Sequence, residues 1–80
     1  MKNITIYTTS TCPYCLRAKS LLNKKGFNYE EINVDNDDSL RQRMSKRAHG
    51  RRTVPQIFID NEHIGGCDDL YALEKLGKLG

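Results

Sequence analysis

The chain has 80 residues, 38% of them hydrophobic and 29% charged, and a net charge of +3. That length suits one domain, spanning residues 1–80, which buries only about 60–65% of its unfolded surface. The balance excludes a disordered chain, and no apolar run approaches the roughly 18 residues that cross a membrane, so no membrane partner is expected.

Met1 to Tyr7 carries one basic residue and no long apolar stretch, which argues against a secretion signal. Three cysteines are an odd count, unsuited to a disulfide-stapled scaffold, so a reducing, cytoplasmic location is expected. Charge is uneven: five of the ten acids fall between Glu30 and Asp38, and six basic residues with no acid follow between Arg41 and Arg52. The basic stretch attracts anions. Six cations without a stacking motif among the tyrosines and phenylalanines argue against nucleic acid.

In chain order, Asn3 to Thr8 predicts a strand through Ile4, Ile6 and Tyr7, and Thr9-Ser10-Thr11 a polar loop. From Pro13 the spacing of Ala18, Leu21 and Leu22 predicts a helix closed by Gly26. Tyr29 to Val34 predicts a second strand. Asp35 to Asp38 offers several caps for a helix carrying Leu40 and Met44 and ending near Gly50. Gln56 to Ile59 is a third strand, turned by Asp60-Asn61-Glu62 into a short fourth at His63-Ile64. Gly65-Gly66 leads into a last helix with Leu70, Leu73 and Leu76 on one face. The order is β-α-β-α-β-β-α, with the first pair of strands parallel across a right-handed helical crossover and the last pair antiparallel. A four-stranded mixed sheet flanked by three helices satisfies it. This α/β arrangement is the thioredoxin layout.

Cys12-Pro13-Tyr14-Cys15 falls where the first strand has ended and the first helix begins. Residues three apart on a helix lie about 5–6 Å apart at Cα, inside the disulfide window of about 4.4–6.8 Å. Cys12 at the helix terminus meets orphan N–H groups and the positive dipole end, which favour a thiolate there. Pro13 suits the first turn because it has no N–H to waste. A zinc site is the alternative, but Cys67, His49 and His63 are the only other Cys or His ligands and no second Cys-x-x-Cys exists. A cysteine pair between strand and helix in a βαβ setting points to dithiol redox chemistry, with no metal.

Thr11-Cys12-Pro13-Tyr14-Cys15, Thr53-Val54-Pro55-Gln56-Ile57-Phe58-Ile59 and Ile64-Gly65-Gly66-Cys67-Asp68-Asp69-Leu70 together resemble the dithiol glutaredoxins over nearly the whole chain. The resemblance implies a thioredoxin fold and glutathione-dependent reduction of protein disulfides and protein–glutathione mixed disulfides. Glutathione is then co-substrate, with no tightly bound cofactor. Cys12 matches the attacking cysteine that carries the glutathionyl group, and Cys15 the resolving thiol. Tyr14 matches the aromatic residue beside the glutathione sulfur. Thr53 and Val54-Pro55 match the cis-proline turn, where the Val54 backbone is free to pair with an extended ligand. Gly66, Cys67 and Asp68 match the loop that holds the γ-glutamyl end, Asp68 accepting from the ammonium.

For the glycine carboxylate the family supplies a side chain from the second helix. Register from Met44 makes that Arg41, with Gln42 second. Two departures from the family pattern are Thr9, where many relatives carry lysine, and a His49-Gly50-Arg51-Arg52 loop one residue longer than in the shortest relatives. Implied partners are glutathionylated or disulfide-containing proteins such as ribonucleotide reductase, met as a monomer. A redoxin served directly by thioredoxin reductase is disfavoured by the Gly65–Asp68 loop. An iron–sulfur module is disfavoured by Pro13-Tyr14, since the relatives with that role have glycine and serine there.

Overall fold

The computed structural model describes residues 3–79. Met1 and Lys2, where the expected absence of a secretion signal begins, and Gly80 lie outside the described residues. The elements are β1 Ile4–Thr8, α1 Pro13–Lys24, β2 Tyr29–Asn33, α2 Asp38–Arg47, β3 Gln56–Ile59, β4 Glu62–Gly65 and α3 Cys67–Lys75. The sheet order is β2-β1-β3-β4. β1 runs parallel to β2 with Ile4 opposite Tyr29, and antiparallel to β3 with Ile4 opposite Ile59. The thioredoxin fold expected from the element order is what the chain adopts.

Alternation along the central strands sends side chains to two separate cores. Ile4, Ile6, Ile57 and Ile59 pack with Ala18, Leu21 and Leu22 of α1 and Leu70 of α3. Tyr7 and Phe58 turn to the other face and pack with Met44 of α2 and with Ala48. α1 and α3 therefore cover one side of the sheet and α2 the other. No helix among the described residues is long and apolar enough to cross a membrane.

Of the acids offered as caps before α2, Asp37 takes the role, accepting from the Leu40 N–H at 3.0 Å. α2 stops at Arg47, short of Gly50, because His49 and Gly50 adopt φ of 58° and 89° and the chain leaves the helix there. Asp60 and Asn61, at φ 51° and 68°, make the two-residue turn between β3 and β4, which lets Glu62 join the strand. The last helix corrects one expectation. α3 ends at Lys75, so Leu76 misses the apolar face and is 69% exposed. Gly77, at φ 71°, reverses the chain, and Leu79 fills the core instead, fully buried.

Candidate active site

Cys12 is the N-cap of α1, in an extended conformation with φ −108° and ψ 106°. Its sulfur accepts a hydrogen bond from the Cys15 N–H at 3.1 Å, one of the donors a helix leaves unpaired in its first turn. Across the site, the Cys12 thiol donates to the Val54 carbonyl at 3.7 Å. The preceding loop is pinned from β2's end: the Ser10 N–H donates to both Asp35 carboxylate oxygens, at 3.2 and 3.0 Å, and the Ser10 hydroxyl donates to Asp35 as well. These bonds hold the Asp35 carboxyl below its ordinary range. Helix start, turn and strand end thus fix the Cys12 sulfur in one place.

The two cysteines differ in environment. Cys12 is 9% exposed and Cys15 only 1%. Burial, followed by the hydrogen bond and charge of Cys12, pushes the Cys15 thiol up from 9.0 to about 12, against smaller opposing effects of the Thr9 backbone and Lys19. At neutral pH Cys15 is therefore protonated. The folded chain keeps that proton where the unfolded chain has released it. The associated stability is complete below pH 9.0 and lost as pH rises through about 12. Reduced protein is expected to lose about 1 kcal/mol more per pH unit between those limits than Cys15→Ala does. Denaturant titrations of both at stepped alkaline pH measure it; parallel curves would refute the shift.

Opposite Cys12, the Val54–Pro55 peptide bond is cis. Gln56 is fully buried behind this turn and its amide nitrogen donates to the Thr53 carbonyl at 3.0 Å and to the Thr53 hydroxyl at 3.2 Å. Gln56 Oε1 lies 2.7 Å from His63 Nε2, so the wall is braced from β4. On the remaining side Gly66 caps α3, its N–H donating to the Asp69 carboxylate at 2.9 Å. An added Cβ at Gly66 would meet the Pro55 carbonyl at 3.4 Å and Arg51 Nη2 at 3.6 Å, which shows how closely three segments converge.

Tyr14, Thr53, Val54, Pro55, Gly66, Cys67 and Asp68 come together around one cleft of about 300 Å³. Tyr14 is 53% exposed at its rim. Arg51 and Asp69 line it too, joined by an ion pair at 3.4 Å. Arg41 does not line it. That side chain lies in α2's first turn, its charge bears on Asp35, and its Nε is buried with no hydrogen-bond partner. Cys67 is buried at the cleft, and burial, then Asp68, pushes its thiol above the ordinary range. Among the described residues no three His, Cys, Asp or Glu side chains are grouped to hold a metal ion.

Four residues of this site escaped sequence reasoning: Arg51, Gln56, His63 and Asp69. Gln56 carried a signal, as a polar residue opening an apolar strand. Arg51 did not stand out from five neighbouring cations.

A family model described as glutaredoxin matches residues 4–64. Glutaredoxin 3 of Escherichia coli strain K12 is 58% identical over 79 residues, covering 99% of this chain and 94% of the relative. The chain belongs to the glutaredoxin family. The glutaredoxin of Pseudomonas aeruginosa is 53% identical over 79 residues, covering 99% of this chain and 93% of its own. Among solved structures, the glutaredoxin of Brucella melitensis superposes with a TM-score of 0.83 at 55% identity, covering 96% of this chain and 83% of that one. A buckwheat glutaredoxin–glutathione complex gives a TM-score of 0.89 at 33% identity, covering 98% and 73%. As a glutaredoxin the protein is a glutathione-dependent thiol oxidoreductase, with glutathione as its substrate.

Proposed function

We propose that this glutaredoxin reduces protein–glutathione mixed disulfides and protein disulfides through a glutathionyl intermediate on Cys12, with Cys15 as resolving thiol. The observation that carries the proposal is the Cys12 sulfur at the α1 N-cap, bonded to the Cys15 N–H and facing Val54 on the cleft wall. In deglutathionylation the Cys12 thiolate attacks the glutathionyl sulfur. The substrate's thiolate leaves and takes a proton from solvent. A glutathione thiolate then attacks the glutathionyl sulfur on Cys12, releasing glutathione disulfide and restoring the Cys12 thiolate.

For a protein disulfide, Cys12 attacks one sulfur and expels the other as a thiolate. Cys15 then attacks the Cys12 sulfur and expels the substrate's second thiolate, leaving a Cys12–Cys15 disulfide that two glutathiones reduce to two thiols with release of glutathione disulfide. Two of the causes that hold Cys15 protonated, the hydrogen bond and the charge of Cys12, disappear once Cys12 is in a mixed disulfide. Cys15 thus becomes easier to ionise at the step that needs its thiolate.

Glutathione sits in the cleft with its cysteine backbone against Val54 in strand fashion and its γ-glutamyl carboxylate at the N–H groups of Cys67 and Asp68 opening α3. Asp68 receives the ammonium, because Asp69 is already committed to the Gly66 N–H. Arg51 replaces Arg41 and Gln42 as the partner of the glycine carboxylate, since Arg51 lines the cleft. Arg51→Ala is expected to raise the KM for glutathione about three- to tenfold with kcat little changed, whereas Arg41→Ala leaves KM within about twofold. The reverse pattern returns the role to α2.

We place the protein in the cytoplasm, acting as a single domain over residues 1–80 and as a monomer, without a tightly bound cofactor, and with glutathionylated proteins and disulfide enzymes such as ribonucleotide reductase as partners. Nicotinamide oxidation in an assay with glutathione, glutathione reductase and a small glutathionyl mixed disulfide tests the central claim. Absence of turnover would overturn it.

A further inference from the structure

The polar chain behind the cleft has a fixed direction. A carbonyl only accepts, so the Gln56 amide nitrogen donates to the Thr53 carbonyl and Gln56 Oε1 faces His63. Oε1 only accepts as well, so the network assigns the His63 hydrogen to Nε2. The neutral His63 ring then presents a lone pair on Nδ1, 3.0 Å from His49 Nδ1, and His49 must be the donor. The bonds run from His49 to His63 to Gln56 to Thr53, from an exposed loop to the wall of the cleft.

Such a chain accepts one proton and resists a second. An imidazolium at the exposed His49 would still donate through its Nδ1–H. A proton on His63 Nδ1 would set two N–H groups head to head at 3.0 Å. Burial, then the charges of His49 and Arg51 in the loop, hold His63 below the ordinary imidazole range, opposed by Asp69 of α3. Its other neighbour is the Phe58 ring of β3, with centroids 5.1 Å apart.

His49 belongs to the loop after α2. The loop is pinned by the Gly50 N–H donating to the Ser45 carbonyl at 2.8 Å and the Arg51 N–H to the Ala48 carbonyl at 3.1 Å. The His49–His63 bond ties this loop to β4, two residues before Arg51 reaches the cleft. We propose that His49 is a positioning residue: its bond to His63 holds the Arg51 loop and, through Gln56, the Thr53 carbonyl in place for glutathione, and protonation of both imidazoles, which leaves neither Nδ1 able to accept, releases the loop. This inference rests on the assignment of the glycine carboxylate to Arg51.

S-methylglutathione keeps both carboxylates and has no thiol to titrate. It is titrated into reduced protein at about pH 7.5 and about pH 5, with affinity read from amide shifts and imidazole tautomers from long-range proton–nitrogen spectra. The expected fall in affinity for the parent at the lower pH is about three- to fivefold, the scale of one lost hydrogen bond. Asparagine suits the φ of 58° at position 49, and its amide can donate to neutral His63 or accept from protonated His63. His49→Asn should therefore match the parent's affinity at the higher pH and keep it at the lower one.

A parent affinity that does not change with pH, an equal fall in His49→Asn, or a His63 hydrogen on Nδ1 at the higher pH would each overturn the proposal. So would His49→Asn binding equally weakly at both pH values, the mark of a merely structural side chain. Arg51→Ala separates the two levels: it should bind weakly at both pH values. Binding equal to the parent's would instead show that the carboxylate seat is misassigned, whatever the tautomers are.

Discussion

Cys12→Ser is expected to lower thiol transfer to both glutathionylated and disulfide substrates by about three orders of magnitude or more. A serine hydroxyl at the α1 N-cap still accepts the Cys15 N–H, so the fold survives, but no sulfur remains to form the mixed disulfide. Neither other thiol can substitute. Cys15 is 1% exposed and protonated up to about pH 12, and Cys67 is buried with its thiol pushed up as well. Cys15→Ser should behave differently, keeping deglutathionylation, because glutathione in solution resolves the Cys12 intermediate, and losing reduction of protein disulfides. The coupled nicotinamide assay with each substrate type measures both variants. Cys12→Ser activity within tenfold of the parent would mean that another thiol attacks.

The second large effect is on stability, at Gly65. Its φ of +124° is a conformation that only glycine enters cheaply, and an added Cβ would lie 2.2 Å from Asp69 Oδ2 and 2.6 Å from Asp69 Cγ. Asp69 would have to swing away, giving up its bond from the Gly66 N–H and its ion pair with Arg51. Backbone strain of about 1–3 kcal/mol and a lost cap of about 1 kcal/mol give Gly65→Ala a cost of about 2–4 kcal/mol. For a domain of this size that lowers Tm by roughly 10–30 °C. Gly66→Ala is the matched control, since its φ is −94° and its Cβ would meet nothing closer than 3.4 Å. Thermal melts within about 3 °C of each other would show that the Asp69 cap does not constrain the turn.

Elements governed by local rules were legible in the sequence. Cys12 and Cys15 lie one helical turn apart beside a proline that opens the helix, so their relationship needs no distant contact. The unbroken apolar run of Ile57, Phe58 and Ile59 likewise announces a strand buried on both faces. What was not legible depended on where the chain turns. Arg41 and Arg51 are both arginines in one basic run, and Arg51, just past the left-handed turn at His49 and Gly50, is the one that lines the cleft. Asp68 and Asp69 are adjacent acids, separated in role by the reach of one carboxylate back to Gly66. Leu76 continued an apolar period, but Gly77 was the available stop signal, and it placed the missing leucine at position 79.

Among the described residues the sheet order leaves β2 on one margin, where Glu30 is exposed and Glu31 is paired with Lys19. A second copy extending the sheet there antiparallel, with Glu30 facing its own counterpart, would set carboxylate against carboxylate, and like charges directly opposite repel. The other margin is β4, joined to β3 through an irregular register between Ile57 and Phe58 and opening on Glu62. Irregular pairing and charge make a poor template for a further strand. A small domain that exposes two strand edges thus carries its own protection against sheet-by-sheet polymerisation, written in the same acidic segment that anchors Ser10 and α1 beside the reactive sulfur.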